Sequence, residues 1–472
     1  MAATDVLTEE HADHLLRRAG FGPRPGEVQQ FAGKTREQAV DQLLGTKSRK
    51  AKPPAKKNHN DGETLRRMQK WWLQQMRSPK WRLHEQMTLF WHDHFPSSFN
   101  VVFELGWLAT QNATFREHGL GNFRDLAFLV TRDAAMLTYL NGFQNRDENP
   151  NENYARELME LFLLGREDMN GEANYTQDDV VELARACTGF GLLYKKNKRT
   201  DTVILYSDNF DAGVKTLFAG KPYEVTGNLG VENADGLPFP ADRNVIDILF
   251  THTDSDGRPT TARFITKKLW EWFVYKNPDK VGIVDPLADV FVASGYDIRT
   301  LVRAILVHDE FYGDTARSGT AKTPVDFANQ LVNALAVKSS FEALPGALER
   351  MGMDLFNPPS VNGWNHSESW LATARFRERF FLAQRIAAGR SKKDSGYQTK
   401  VDKLLDPTVT SSGDIVDTML ARFGVTGVPA ASRQALIDYL ETGAALSDEE
   451  WLEVKFRGLL VLIFTLPEFQ VH

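Results

Sequence analysis

The sequence predicts a mainly α fold, a multi-helix globular bundle with a small β-ribbon insertion around 200–225. Three observations predict it. Apolar residues recur every three or four positions along most of the chain, the period of a helix face. β-branched and aromatic runs gather only between about 190 and 240. No repeat of 20–50 residues marks a solenoid.

The elements follow in chain order. "TLRRMQKWWLQQMRS" (64–78) spaces Leu65, Met68, Trp72 and Met76 along one helix face. "WRLHEQMTLFWHDHF" continues in the same style up to Pro96. Residues 121–140, 151–165, 177–188, 259–276, 283–294, 298–308 and 324–337 read likewise, as do 367–388, 431–442 and 449–466. "TDTVILYSDNF" and "VKTLFAGKPYEV", separated by "DAG", predict the ribbon. The polar, broken segment 390–414 separates a C-terminal part. The expected organisation is an N-terminal helical half (1–190) that carries the candidate site, a β-ribbon insertion (191–240), a second helical half (241–390) and a C-terminal helical subdomain (391–472).

Composition narrows the function classes. The chain is 42% hydrophobic and 25% charged, with a net charge of -6. That balance suits an ordinary globular protein and argues against nucleic acid as a partner, because phosphate binding needs concentrated positive charge. The one dense basic run, "TKSRKAKPPAKK" (46–57), contains Pro53-Pro54 and reads as a solvated loop. The single cysteine, Cys187, forms no intrachain disulfide and reads as a small buried residue. The N-terminus has no apolar h-region, and no apolar run approaches the roughly 18 residues of a membrane span. A cytoplasmic protein is the expectation. Dinucleotide, P-loop, nucleophile-elbow and paired-cysteine motifs are all absent, so no nucleotide cofactor is expected.

Three stretches can carry chemistry. In "HEQMTLFWHDH" (84–94), Glu85 and His92 lie close to two helical turns apart and share a face. His94 points away from His92 unless the helix loosens, which Pro96 favours at Phe95. If it does, Glu85, His92 and His94 meet as metal ligands. Otherwise the histidines bond backbone at a buried helix end. In "NPNENYARELMELFLLG" (149–165), Asn149 reads as the N-cap and Gly165 as the stop. Asn153, Glu157 and Glu160 share one strip of a helix that is otherwise mostly apolar. Buried carboxylates must be paired, protonated or metal-bound, so they form either a structural ion pair with an arginine or part of a functional site, on a helix that also carries Arg156. In "NYTQDDVVELARACTGF" (174–190), Thr176 caps the helix, and Asp178, Glu182 and Arg185 form either a solvated face or part of the same polar centre. Beyond these, "FNPPSVNGWNHSESW" (356–370) is a loop whose Trp364 and Trp370 either stack on a substrate or plug the core.

Seven stretches together resemble one bacterial family, the uncharacterised domain of unknown function 1800. They are "HLLRRAGFGPRPGEV" (14–28), "EQMTLFWHDHF" (85–95), "NENYARELMELFLLG" (151–165), "YTQDDVVELARACTGF" (175–190), "ARFITKKLWEWFV" (262–274), "SGYDIRTLVRAIL" (294–306) and "MGMDLFNPPSVNGW" (351–364). The resemblance runs to "LPEFQ" and covers nearly the whole chain. It assigns no activity. It implies members that are often exported and often encoded beside a sulfatase-like protein, a candidate partner. The family-like positions include Glu85, His92, His94, Asn153, Arg156, Glu157 and Glu160. Two places depart from the family pattern: Phe210-Asp211 stands where a His-Asp pair is usual, and "THTDSDGRPTTARF" stands in place of a short His-Pro turn.

The functional expectation is a metal-dependent enzyme. His92, His94, Glu85 and Glu157 would bind Fe, Mn, Zn or Cu. Glu157, Glu160 and Arg156 would act in catalysis, and Trp364, Asn153 and Arg185 would bind substrate. Redox chemistry with O₂ is favoured slightly. The alternatives are metal-dependent hydrolysis of a glycan or peptide, and a non-enzymatic helical scaffold held by a buried polar network.

Overall fold

Helix formation begins with local caps. Asp61 accepts from the Thr64 N–H at 2.7 Å and starts the Gly62–Met76 helix. Met68, Trp72 and Met76 on its predicted face are fully buried. The Arg82–His94 helix follows, and every one of its residues is buried. It packs on the Gly62–Met76 and Leu105–His118 helices. The computed structural model describes residues 5–47, 50–55, 60–195, 198–232, 236–365, 367–406, 408–443 and 447–472. Of the basic stretch 46–57, Ser48, Arg49, Lys56 and Lys57 lie outside the described residues.

The fold is mainly α, with three small two-stranded antiparallel sheets. The ribbon differs from expectation in its pairing. Phe190–Lys195 pairs with Lys198–Leu205, and Lys215–Leu217 pairs with Val225–Gly227. The two apolar runs therefore each fold back on a near neighbour instead of on each other. The reason lies in the segment between them, where Ser207–Asn209 turns and Asp211 is drawn to Arg185. The third sheet joins Lys338–Ser339 to Tyr397–Gln398.

One hydrophobic cluster runs from Leu7 to Phe469 and takes side chains from all four predicted segments. The Arg457–Phe464 helix packs on Thr373–Ala388, which in turn packs on Pro324–Ala334. Distant parts of the chain also meet through polar contacts. Arg18, at the end of the Glu9–Arg18 helix, caps the Thr260–Phe273 helix from outside, with Nε and Nη2 donating to the Phe273 and Trp272 carbonyls at 2.7 Å each. Near the chain's other end, Lys322 Nζ donates to the Phe469 carbonyl at 2.7 Å, and His472 Nε2 lies 3.5 Å from Asp326. No described helix is long and apolar enough to cross a membrane.

Candidate functional site

The Arg82–His94 helix stays helical through His94 and stops at Phe95, whose N–H still bonds the Trp91 carbonyl. His92 and His94 therefore point to different sides and do not meet. His92 lies against the rings of Trp72, Phe356 and Trp364, and its Nε2 accepts the Phe356 N–H at 3.2 Å. His94 Nε2 lies 3.0 Å from the Phe162 carbonyl, so it carries the proton and Nδ1 keeps the lone pair. Both rings are neutral. Burial lowers His92 to about 4, with Asp93 opposing. Burial, and then the charge of Lys268, lowers His94 to about 3.

Glu85 and His92 do share the face that their spacing predicts, and the group they share is Trp72. Glu85 Oε2 accepts from Trp72 Nε1 at 2.9 Å. Arg116, from the Leu105–His118 helix, holds both carboxylate oxygens, at 2.8 and 2.9 Å. Both partners are fully buried. Glu85 is thus an ion-pair partner with both oxygens occupied. Sequence reasoning did not single out Arg116. Its one signal was an arginine placed on a helix that is otherwise largely buried.

The helix after Asn151 changes pitch. Glu152–Glu157 is α-helical, and Leu158–Leu163 widens into a π turn. The widening shifts Glu160 off the α-helical strip with Glu157. Glu160 accepts from the Tyr175 hydroxyl at 2.5 Å. Glu157 is half-buried, and its pKa is raised by burial first and by Glu160 second. Arg156 turns outward to Glu152 at 2.8 Å and Gln177 at 2.9 Å. Asn153 is exposed in the first turn. The next helix, Gln177–Ala186, has the predicted capping box at Thr176. Its polar face holds the β segment: Arg185 bonds Glu182 and Asp211, Glu182 accepts from Thr216 N–H, and Asp179 accepts from Phe218 N–H. Arg185 is committed there and does not join Glu157 or His94.

The ligand set read from the sequence is therefore not assembled. His92, His94, Glu85 and Glu157 occupy separate surroundings. Among the described residues, no three His, Cys, Asp or Glu side chains gather as a group able to hold a metal ion. Trp364 and Trp370 are 3% and 2% exposed, so both plug the core beneath their loop, and Trp370 also presents an edge to the cavity beside His94. Of that loop, His366 lies outside the described residues.

What the structure does assemble is a cavity of about 160 Å³ beside His94. Asp93 and His94 line it from one helix, and Lys268 and Glu271 from the Thr260–Phe273 helix. Phe90 and Trp370 supply apolar wall. Asp93 also anchors the loop opposite, since its Oδ1 accepts the Trp364 N–H at 2.7 Å. Gly363 makes this possible: its φ is +74°, and a Cβ there would stand 2.5 Å from the Asp93 carbonyl oxygen. Solvent reaches the Lys268 side chain, yet the protein crowded around it lowers its pKa, with Glu271 and Asp93 opposing. The described structure gives its ammonium no hydrogen bond; the Phe264 ring lies 5.4 Å away. Leu161, Lys268 and Glu271 also line an adjoining cavity of about 360 Å³ that reaches Glu160. Lys268 and Glu271 thus stand between His94 on one side and Glu160 on the other. Sequence reasoning missed both, because on a helix period they look like ordinary solvated charges.

A family model described as a protein of unknown function, DUF1800, matches residues 14–471. No curated protein and no solved structure matches the chain.

Proposed function

The chain belongs to the DUF1800 family, and we propose that it is an enzyme acting on a small polar substrate, a glycan or peptide fragment, by acid–base chemistry in the cavity beside His94. One observation carries this reading. Five of the seven stretches that carry the family resemblance line this cavity, through Arg18, Asp93, Leu161, Lys268 and Asn362 among others. Stretches far apart in sequence gain nothing for packing by meeting around a polar space, whereas a site needs convergence.

The roles follow from the groups. Lys268 lies on the cavity wall, and the protein crowded around it lowers its pKa, the direction a general base needs to take a proton from substrate. Glu271 stands beside it and stabilises the ammonium that results. His94 offers the Nδ1 lone pair as an acceptor that orients a substrate hydroxyl or amide. Phe90 and Trp370 give an apolar wall for the carbon face of a sugar or side chain.

Competitive acetylation across roughly pH 6–10, read by mass spectrometry, tests the base. Lys268 should become reactive at lower pH than the other lysines, and Glu271→Gln should move its profile lower still. A Lys268 profile that superposes on those of the surface lysines would remove the base and the mechanism with it.

A metal-dependent form, with Fe, Mn, Zn or Cu, would draw ligands from this cavity rather than from Glu85 or His92. Elemental analysis of protein purified without chelators checks it: stoichiometric metal, lost in His94→Ala and Glu271→Gln, would make the site a metal site. A second reading, a non-catalytic binding scaffold, is favoured by one specific observation. The Glu85–Arg116–Trp72 cluster and the His92 and His94 backbone bonds join separate parts of the chain into a satisfied polar network.

A further inference from the structure

A second opening lies between the Glu9–Arg18 helix and the end of the Ser412–Arg422 helix. It is a cleft of about 680 Å³, within the usual range for small-molecule sites. His472 lines both this cleft and the cavity beside His94, and so forms a wall between them. The two sites are otherwise built from different residues, so binding in the cleft is independent of the chemistry proposed for Lys268.

The cationic groups of the cleft are not all neutralised. Arg17 is committed to Asp13, with Nη2 at 2.9 Å from Oδ1, and to Gln330 at 3.1 Å. Arg317 pairs with Glu10 and Asp314. Arg24 gives Nη2 to the Arg77 carbonyl, but its Nε is buried with no partner. The nearby carboxylate, Glu27, is held by Arg82 at 2.8 Å and by the Arg24 backbone N–H at 2.8 Å. Arg422 makes no hydrogen bond or ion pair among the described residues, and its Nη1 is buried. Burial alone lowers its pKa, with no carboxylate opposing. Two imidazole nitrogens on the cleft wall, His14 Nε2 and His472 Nδ1, are also buried without a partner.

This is an unusual arrangement for a protein left to itself. A half-buried guanidinium loses hydration and here gains no anion in return. Removing such a charge should stabilise the fold, so its presence calls for a ligand. The guanidinium fork matches the oxygens of a phosphate or carboxylate in pairs. The cleft floor is already fixed, because Gly424, at φ +60°, presses its backbone onto the Asp13–Arg17 pair, where a Cβ would overlap Asp13 Oδ2.

We propose that this cleft binds a sugar-sized molecule carrying a phosphate or carboxylate group, with the guanidinium groups of Arg422 and Arg24 on the oxyanion and the rings of His14 and His472 as part of the surrounding wall. Isothermal titration calorimetry on the full chain tests it, with inorganic phosphate, glucose 6-phosphate, glucuronate and neutral glucose as probes. At least one of the anions should bind with a Kd of about 1 mM or tighter, and glucose should not. Whichever of glucose 6-phosphate and glucuronate binds tighter identifies the oxyanion. Arg422→Met and Arg24→Met should each weaken binding about tenfold or more, and Lys268→Met should leave it unchanged. A second measurement has the opposite sign. Without anion, Arg422→Met should raise Tm by a few degrees, because it removes an unpaired, partly buried charge. With anion, the variant should lose the ligand's stabilisation. The proposal is overturned if none of the three anions binds at about 10 mM, if the arginine variants bind as the wild type does, or if Arg422→Met lowers Tm in the absence of anion.

Discussion

Glu85 is fully buried, and its carboxylate is held by the Arg116 guanidinium and the Trp72 indole. Breaking such a pair leaves the other charge stranded, which costs about 3–5 kcal/mol. Glu85→Ala and Arg116→Met should each lower the unfolding free energy measured in urea by that order, while the double change Glu85→Leu/Arg116→Met should be milder than either. Equal additive losses would show that the pair is not coupled. The two histidines make a pH prediction. Their folded values, about 4 and about 3, lie below the unfolded value near 6.5. Below about pH 6.5 the unfolded chain binds protons that the folded chain refuses, so stability falls as pH drops towards 4 and is flat above 7. Each histidine contributes at most about 1.4 kcal/mol per pH unit. His94→Gln keeps a donor for the Phe162 carbonyl, and it should make the slope between pH 7 and pH 5 shallower in urea titrations. At this scale the shared face of Glu85 and His92 was legible from their spacing. Arg116 was not, because a partner 31 residues away in sequence leaves no local signature.

Elements show a similar division. The stop at Gly165, with φ +83°, and the capping box at Thr176 with Asp179 are both where the residues indicate. The start of the buried helix is not. Asn149 closes a turn with Arg146, and Asn151 is the cap, accepting from the Asn153 N–H at 3.0 Å. Two asparagines with equal capping ability stand two residues apart, and only the surrounding packing chooses between them. The π turn at Leu158–Leu163 was likewise invisible to a 3.6-residue period. The loop after Phe356 gives the prediction at this scale. Gly363→Ala would need both a left-handed alanine and a shift of the Asp93 backbone. It should cost on the order of 1–3 kcal/mol and detach Trp364 from Asp93, giving raised tryptophan fluorescence quenching by acrylamide. Unchanged quenching would show that the loop absorbs the methyl group.

For the whole molecule, the mainly α class was legible because helix periodicity is a local property repeated many times. The candidate site was legible only in part. Asp93, His94 and Leu161 lie in stretches read for their chemistry, whereas Lys268 and Glu271 lie in a family-like stretch (262–274) whose charges gained a role only through tertiary convergence. The same convergence draws in residues 467–472. Deleting them would remove the Phe469 carbonyl from Lys322, the Gln470 side chain (3.2 Å) from Arg379 and the His472 ring from Asp326. The truncated chain should lose on the order of 3–5 kcal/mol in a single unfolding transition. A separate early transition, with the remainder unaffected, would show that the C-terminal helices fold independently.

The meeting of Arg18 with the Trp272 and Phe273 carbonyls, and of His472 with Asp326, also bears on biosynthesis. A chain leaving the ribosome presents Arg18, His94 and Lys268 long before residues 469–472 exist. At roughly 5–20 residues per second, the early helices wait on the order of half a minute for their last wall. During that interval Lys322 lacks the Phe469 carbonyl, and Asp326 keeps Gln86 and Thr323 but lacks the His472 ring. The cavity beside His94 thus gains the His472 part of its wall only after the residues on its other sides have been made.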